Sequence, residues 1–137
     1  MLPRRYRLQR ATDVQRVRRH GRRWRHPLAI LLVSPAGSEM SSQPQTSQQN
    51  GRVPSRFAFA ASRRVGPAVG RNRAKRLMRE AVRSHLDSVE PGWDCLLIAR
   101  PGAAGAAYLE VYAAITQLLS RASLVSYSLN REGNPRS

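Results

Sequence analysis

Residues 70–83 read GRNRAKRLMREAVR, and six of these fourteen positions are basic while Glu80 is the only acid. The chemistry open to such a stretch is polyanion binding. Guanidinium forks take phosphate oxygens two at a time and also stack on bases. Placed on a helix at about 100° per residue, Ala74, Leu77, Met78, Ala81 and His85 gather on one side. Arg71, Asn72, Lys75, Arg76, Arg79 and Arg83 fall opposite, within an arc of about 140° by the same rule. Arg73 lies alone on a flank, and Val82 sits near the border. The pairs Arg71–Lys75, Lys75–Arg79 and Arg79–Arg83 place like charges at i,i+4, where they repel. A merely solvated face usually alternates sign. A ridge of one sign makes sense when a phosphate backbone runs along it. Asn72 adds a neutral donor and acceptor suited to a base edge or a 2′-OH.

Hydrolytic chemistry by the polypeptide itself has little to work with. Metal-dependent hydrolysis needs clustered carboxylates or histidines. The eight acids Asp13, Glu39, Glu80, Asp87, Glu90, Asp94, Glu110 and Glu132 are scattered without ligand spacing, and His20, His26 and His85 are far apart. There is no Cys-x-x-Cys, no phosphate-binding Walker loop and no nucleophile elbow. The glycines of VGPAVG (65–70) lead to a helix N-terminus that is a weak phosphate-site signal on its own. Catalytic residues and a protein-held metal are therefore expected to be absent.

The elements that must carry the ridge follow from composition and periodicity. The chain has 137 residues, enough for one domain with modest tails. Its formal net charge is +16, and every basic residue but Lys75 is Arg. Such a charge opposes compaction unless a polyanion neutralises it, and nucleic acid is the leading partner. A membrane surface is the rival, but the longest apolar run, LAILLV (28–33), is too short to span a bilayer. The single Cys95 cannot form an internal disulfide and reads as a buried strand residue in a reducing, cytoplasmic setting. The charged start MLPRRYRLQR lacks an apolar h-region, so no signal peptide is expected.

ATDVQRVRRHG (11–21) predicts a short helix capped by Thr12 or Asp13 and ended by Gly21. RRWRHPLAILLVSP (22–35) predicts extended structure ended by Pro35, in which His26-Pro27 either divides it into two short strands or marks an edge position. Residues 36–54 are dominated by Ser, Gln, Gly and Pro, and predict a disordered insertion between strands. SRFAFAAS (55–62) and WDCLLIAR (93–100) predict further strands, with the basic helix between them. From Tyr108 to Ala122 the apolar spacing is helical. The expectation is a single α+β domain over 1–129 with one sheet, and a flexible tail at 130–137.

The stretch SRRVGPAVGRNRAKRLMREAVR (62–83), centred on Arg71-Asn72-Arg73, strongly resembles the signature of the bacterial ribonuclease P protein component. The flanks LQRATDVQRVRRHGRR and PGWDCLLIARPGAA fit as well, so the likeness covers roughly residues 5–122 outside the insertion. The resemblance implies a protein cofactor of a large catalytic RNA. Together they cleave the 5′ leader from precursor tRNA, the RNA with its bound Mg²⁺ doing the chemistry and the protein broadening substrate range. It implies a fold similar to the second domain of ribosomal protein S5: a four-stranded sheet, three helices and a left-handed βαβ crossover around the basic helix. It assigns catalytic-RNA contact to Arg63, Arg64, Arg71, Asn72, Arg73, Lys75, Arg76, Arg79 and Arg83. It also implies a cleft for the single-stranded leader between the first helix and the sheet, where the matching positions are Val14, Arg18 and Leu32, with Trp24 and Tyr6 as nearby aromatics. Family members often place aromatics where this chain has Val14, Arg18 and Leu32, so a cleft relying on charge and apolar contact is expected. No membrane and no obligate protein partner are implied. The alternative is a non-enzymatic RNA-binding or ribosome-associated protein using the same surface.

Overall fold

A computed structural model describes residues 2–37 and 53–125. Most of the expected insertion (38–52) and the whole expected tail (130–137) lie outside the described residues. The described chain forms helix α1 (Ala11–His20), strands β1 (Arg22–His26), β2 (Ala29–Pro35) and β3 (Arg56–Ala61), helix α2 (Ala68–Arg83), strand β4 (Trp93–Ala99) and helix α3 (Tyr108–Arg121).

The strands make one four-stranded sheet in the order β1-β2-β4-β3. β1 and β2 form an antiparallel hairpin about Pro27-Leu28, with His26 opposite Ala29 and Trp24 opposite Leu31. β2 and β4 are antiparallel, while β3 and β4 are parallel. A parallel pair needs a crossover, and α2 supplies it. The central strands are covered on both faces, which is why LAILLV and CLLIA read as unbroken apolar runs rather than alternating ones.

Alternation sorts the sheet residues into two cores. Leu31, Val33, Phe57, Cys95 and Leu97 join Ala74, Leu77, Met78, Ala81 and Val82 of α2 and Val111, Ile115, Leu118 and Leu119 of α3. On the other face Leu32 and Leu96 meet Leu8 and Val17 beneath α1. Every residue placed on the core side of the basic helix by periodicity is buried, His85 included. Its Nε2 lies 2.8 Å from Thr116 Oγ1, and Thr116 Oγ1 in turn donates to the Tyr112 carbonyl at 2.8 Å.

The start of α1 differs from expectation. Helix α1 begins at Ala11 with Arg10 as N-cap, so neither Thr12 nor Asp13 caps it. Asp13 sits in the first turn and turns inward instead, where it and Asp94 meet Arg16 and Arg56. Ion pairing to the sheet outcompetes local capping. Gly21 does end α1, and for a steric reason. A Cβ there would lie 2.6 Å from the Val17 carbonyl oxygen and 3.2 Å from the Val33 backbone.

The ends of the insertion are fastened to one residue. Ala36 N–H donates to the Gly92 carbonyl at 2.9 Å, and Gly92 N–H donates to the Val53 carbonyl at 2.8 Å. Gly92 has φ +95, a region that favours glycine.

Candidate nucleic-acid interface

The cationic ridge forms because α2 buries its other side. Its exposed or half-exposed face carries Arg71, Asn72, Lys75, Arg76, Arg79 and Arg83. Among the described residues only Arg83 has an acidic partner there, Glu80 at 3.4 Å. Arg71, Lys75, Arg76 and Arg79 make no ion pair among the described residues. Arg79 instead lies over the Phe59 ring, 5.9 Å from its centroid. Arg63 and Arg64 extend the positive surface past the helix N-terminus on a single 3-10 turn. That turn is closed by Ser62 Oγ accepting from Arg64 N–H at 3.3 Å and released at Gly66, whose φ of +137 suits glycine. Arg73 departs from the ridge. Its Nη1 donates to the Ala104 carbonyl at 2.7 Å and ties α2 to the 101–105 turn. Its place on the flank of the wheel anticipates that separate use.

The second surface lies on the opposite face of the sheet, beside α1. Val14, Ile30, Ala58, Ala60 and Ile98 are partly buried around the small core there, and they form a shallow apolar floor. Arg18 follows Val14 by one turn and is exposed. Leu32 is 1 % exposed, so it packs under α1 and offers no accessible contact. Trp24 does not belong to this face. It pairs across the hairpin with Leu31 and packs, as Tyr6 does, against the core shared with α2 and α3. The period of 2 along a strand decides this: Leu31 and Leu32 point to opposite faces, and their partners follow. The residues in register with Leu32 and Ile30 are Arg23 and Arg25, both exposed. Sequence reasoning missed these two arginines, although a two-residue turn at Pro27-Leu28 implies the register that finds them. The surface thus combines an apolar floor with Arg18, Arg23 and Arg25.

The orientation of α1 over this floor is set by a buried charge cluster. Asp94 is fully buried. It accepts from Arg16 Nη2 at 2.6 Å, from Arg56 Nε and Nη2 at 3.0 and 2.9 Å, and from Gly37 N–H at 3.3 Å. Arg16 also reaches Asp13 at 3.0 Å and the Pro35 carbonyl at 3.0 Å. Burial works against the charge on Arg16, but hydrogen bonds to Asp94 and Asp13 outweigh it and raise its pKa above that of a free arginine. Among the described residues no group of three His, Cys, Asp or Glu side chains converges as a metal site would require. No described helix is long and apolar enough to cross a membrane.

The geometry has counterparts in known proteins. The family model described as Ribonuclease P matches residues 2–123. The ribonuclease P protein component of Herpetosiphon aurantiacus is 39% identical over 118 residues, covering 86% of this chain and 85% of the relative. That of Roseiflexus castenholzii is 38% identical and covers 90% and 91% of the two chains. Among solved structures, the Staphylococcus aureus RNase P protein superposes with a TM-score of 0.69 at 21% identity, over 88% of this chain and 98% of that one. The Thermotoga maritima RNase P protein gives 0.66 at 22% identity, over 84% and 96%. These two share the fold.

Proposed function

This chain belongs to the ribonuclease P protein family, and on that premise we propose that its two basic surfaces hold two RNAs within one ribonucleoprotein. It is the protein component of ribonuclease P and serves removal of the 5′ leader from precursor tRNA. The ridge of α2, with Arg63 and Arg64, grips the catalytic RNA. The floor beside α1 takes the single-stranded leader, whose phosphates meet Arg18, Arg23 and Arg25 while its bases lie on Val14, Ile30 and Ile98. Apolar contact and charge are tolerant of base identity, and that tolerance suits a subunit that broadens substrate range.

The RNA performs the chemistry and holds most of the Mg²⁺, and the polypeptide alone does not cut. The cytoplasm is the compartment in which this complex works. The observation that carries the reading is the run of four ridge cations that have no acidic partner among the described residues, on a helix whose other side is core. Such a ridge is self-repelling until phosphate neutralises it.

The test is reconstitution. RNA-free protein incubated with precursor tRNA and Mg²⁺ is expected to release no leader, and addition of the catalytic RNA is expected to give cleavage at one site. Specific cleavage by protein alone would overturn the division of labour. Co-purification with ribosomes, and not with one large structured RNA, would favour the ribosome-associated alternative.

A further inference from the structure

The ridge of α2 runs into a cavity at the outer edge of the sheet. β3 is an edge strand, and among the described residues only Arg7 bridges to its outer side, at Phe57. There Leu8 N–H donates to the Phe57 carbonyl at 2.9 Å. Phe57 therefore directs its backbone polar groups outward, and alternation gives Phe59 the same direction. No further strand covers Phe59 among the described residues, so its N–H and C=O stand open as an adjacent donor and acceptor. Beside them lies a cavity of about 420 Å³ lined by Phe57, Phe59, Leu8, Arg7, Lys75 and Arg79. That volume falls within the range of small-ligand sites, ~300–1,000 Å³.

Each part of the lining has a counterpart in one ligand. The Phe59 ring is a stacking surface, already approached by the Arg79 guanidinium. The open Phe59 amide and carbonyl match the donor and acceptor on a base edge. Arg7, Lys75 and Arg79 match a phosphate, and Arg7 is held in place by Nε donation to the Leu2 carbonyl at 2.8 Å. Lys75 and Arg79 also belong to the ridge, so the cavity is continuous with it. We propose that this cavity is a nucleotide subsite that takes one unpaired base of the catalytic RNA, stacked on Phe59, with its phosphate among Arg7, Lys75 and Arg79. The proposal rests on the reading of the ridge as the catalytic-RNA surface. An acidic peptide adding a strand to β3 is a different class of partner. It fits less well, because the cations cluster in the cavity and along α2 and not along the strand edge.

The test uses the full chain reconstituted with the catalytic RNA. Phe59→Leu is expected to weaken RNA binding by about five- to hundred-fold, the equivalent of one lost stack, with an unchanged salt slope because no phosphate contact is removed. Phe59→Trp should bind within a few-fold of the parent. Arg76→Gln, outside the cavity, should instead lower the log–log salt slope by about one. Thermal melts check that Phe59→Leu is folded. A second measurement does not depend on that variant. With p-azidophenylalanine replacing Gln9, an exposed residue of the cavity wall, irradiation of the complex should crosslink one discrete position of the catalytic RNA. Parent-like binding by folded Phe59→Leu would overturn the subsite. Crosslinks confined to protein, or spread without a preferred position, would do the same. If the parent chain itself fails to bind the catalytic RNA, the reading of the ridge falls first; if the parent binds and Phe59→Leu binds equally, only the subsite falls.

Discussion

Arginine does opposite work in two parts of this molecule. Beneath α1, Arg16 and Arg56 are about four-fifths buried and locked onto Asp13 and Asp94. Along α2, Arg71, Arg76 and Arg79 have no acidic partner among the described residues. The residue type is the same, so the difference lies in the carboxylates. Where two buried acids wait, the guanidinium is spent on fixing a helix to a sheet. Where none lies among the described residues, the guanidinium is left for the RNA that the proposed function assigns to it. The +16 excess is therefore unevenly distributed in its use, and a count of basic residues does not distinguish structure from binding.

The contrast predicts that the two regions fail differently. Asp94→Asn should have the largest effect. It leaves Arg16 and Arg56 facing an amide in a buried site, and breaking one side of a buried pair costs about 3–5 kcal/mol. The melting temperature should drop by on the order of 10 °C, seen by circular dichroism, with RNA affinity of the remaining folded fraction little changed. A variant as stable as the parent would mean that the cluster does not fasten α1.

Arg79→Glu should do the reverse. Its stability should stay within about 0.5 kcal/mol of the parent, because reversal relieves two like-charge i,i+4 pairs. Catalytic-RNA affinity should fall about ten-fold or more at physiological salt and depend less steeply on salt. Titrations at several salt concentrations measure both. Melting of the domain, or parent-like binding, would erase the distinction between the two arginine classes.

The smallest effect tests the buried side of the same helix. Burial lowers the pKa of His85, so folding favours its neutral form. A depressed folded pKa means that the stabilisation is present above the ordinary histidine value of about 6.5 and is lost as pH falls through the folded value. His26 is shifted the same way, by burial and then by Arg121. Acidification from pH 7 to 5 should therefore lower the melting temperature, and His85→Gln should reduce that dependence while leaving the contribution of His26. An unchanged pH profile in the variant would show that the proton on His85 does not report on the core.

Much of this was legible in the residues because it depends on local periodicity. The two sides of α2 follow from a repeat of 3.6, and Ala74, Leu77, Met78, Ala81 and His85 are all buried as that repeat requires. The break in extended structure near Pro27, the end of α1 at Gly21 and the boundaries of β4 follow from turn chemistry and steric limits. The 62–83 block is specific enough by itself to indicate the family.

Only the tertiary structure decided which residues share a face across elements. Trp24 is near Leu32 in sequence yet lies on the opposite side of the sheet, because a shift of one residue along a strand reverses direction. Asp13 reads as a helix cap, but the long-range approach of Arg56 makes it an ion-pair partner. Arg16 and Arg76 look alike in a basic sequence, and only the fold brings Asp94 to one and leaves the other open. Local order depends on spacing along the chain, which a sequence displays. The use of a charge depends on what is brought within a few ångströms of it, and distance in space is set by the packing of the whole domain.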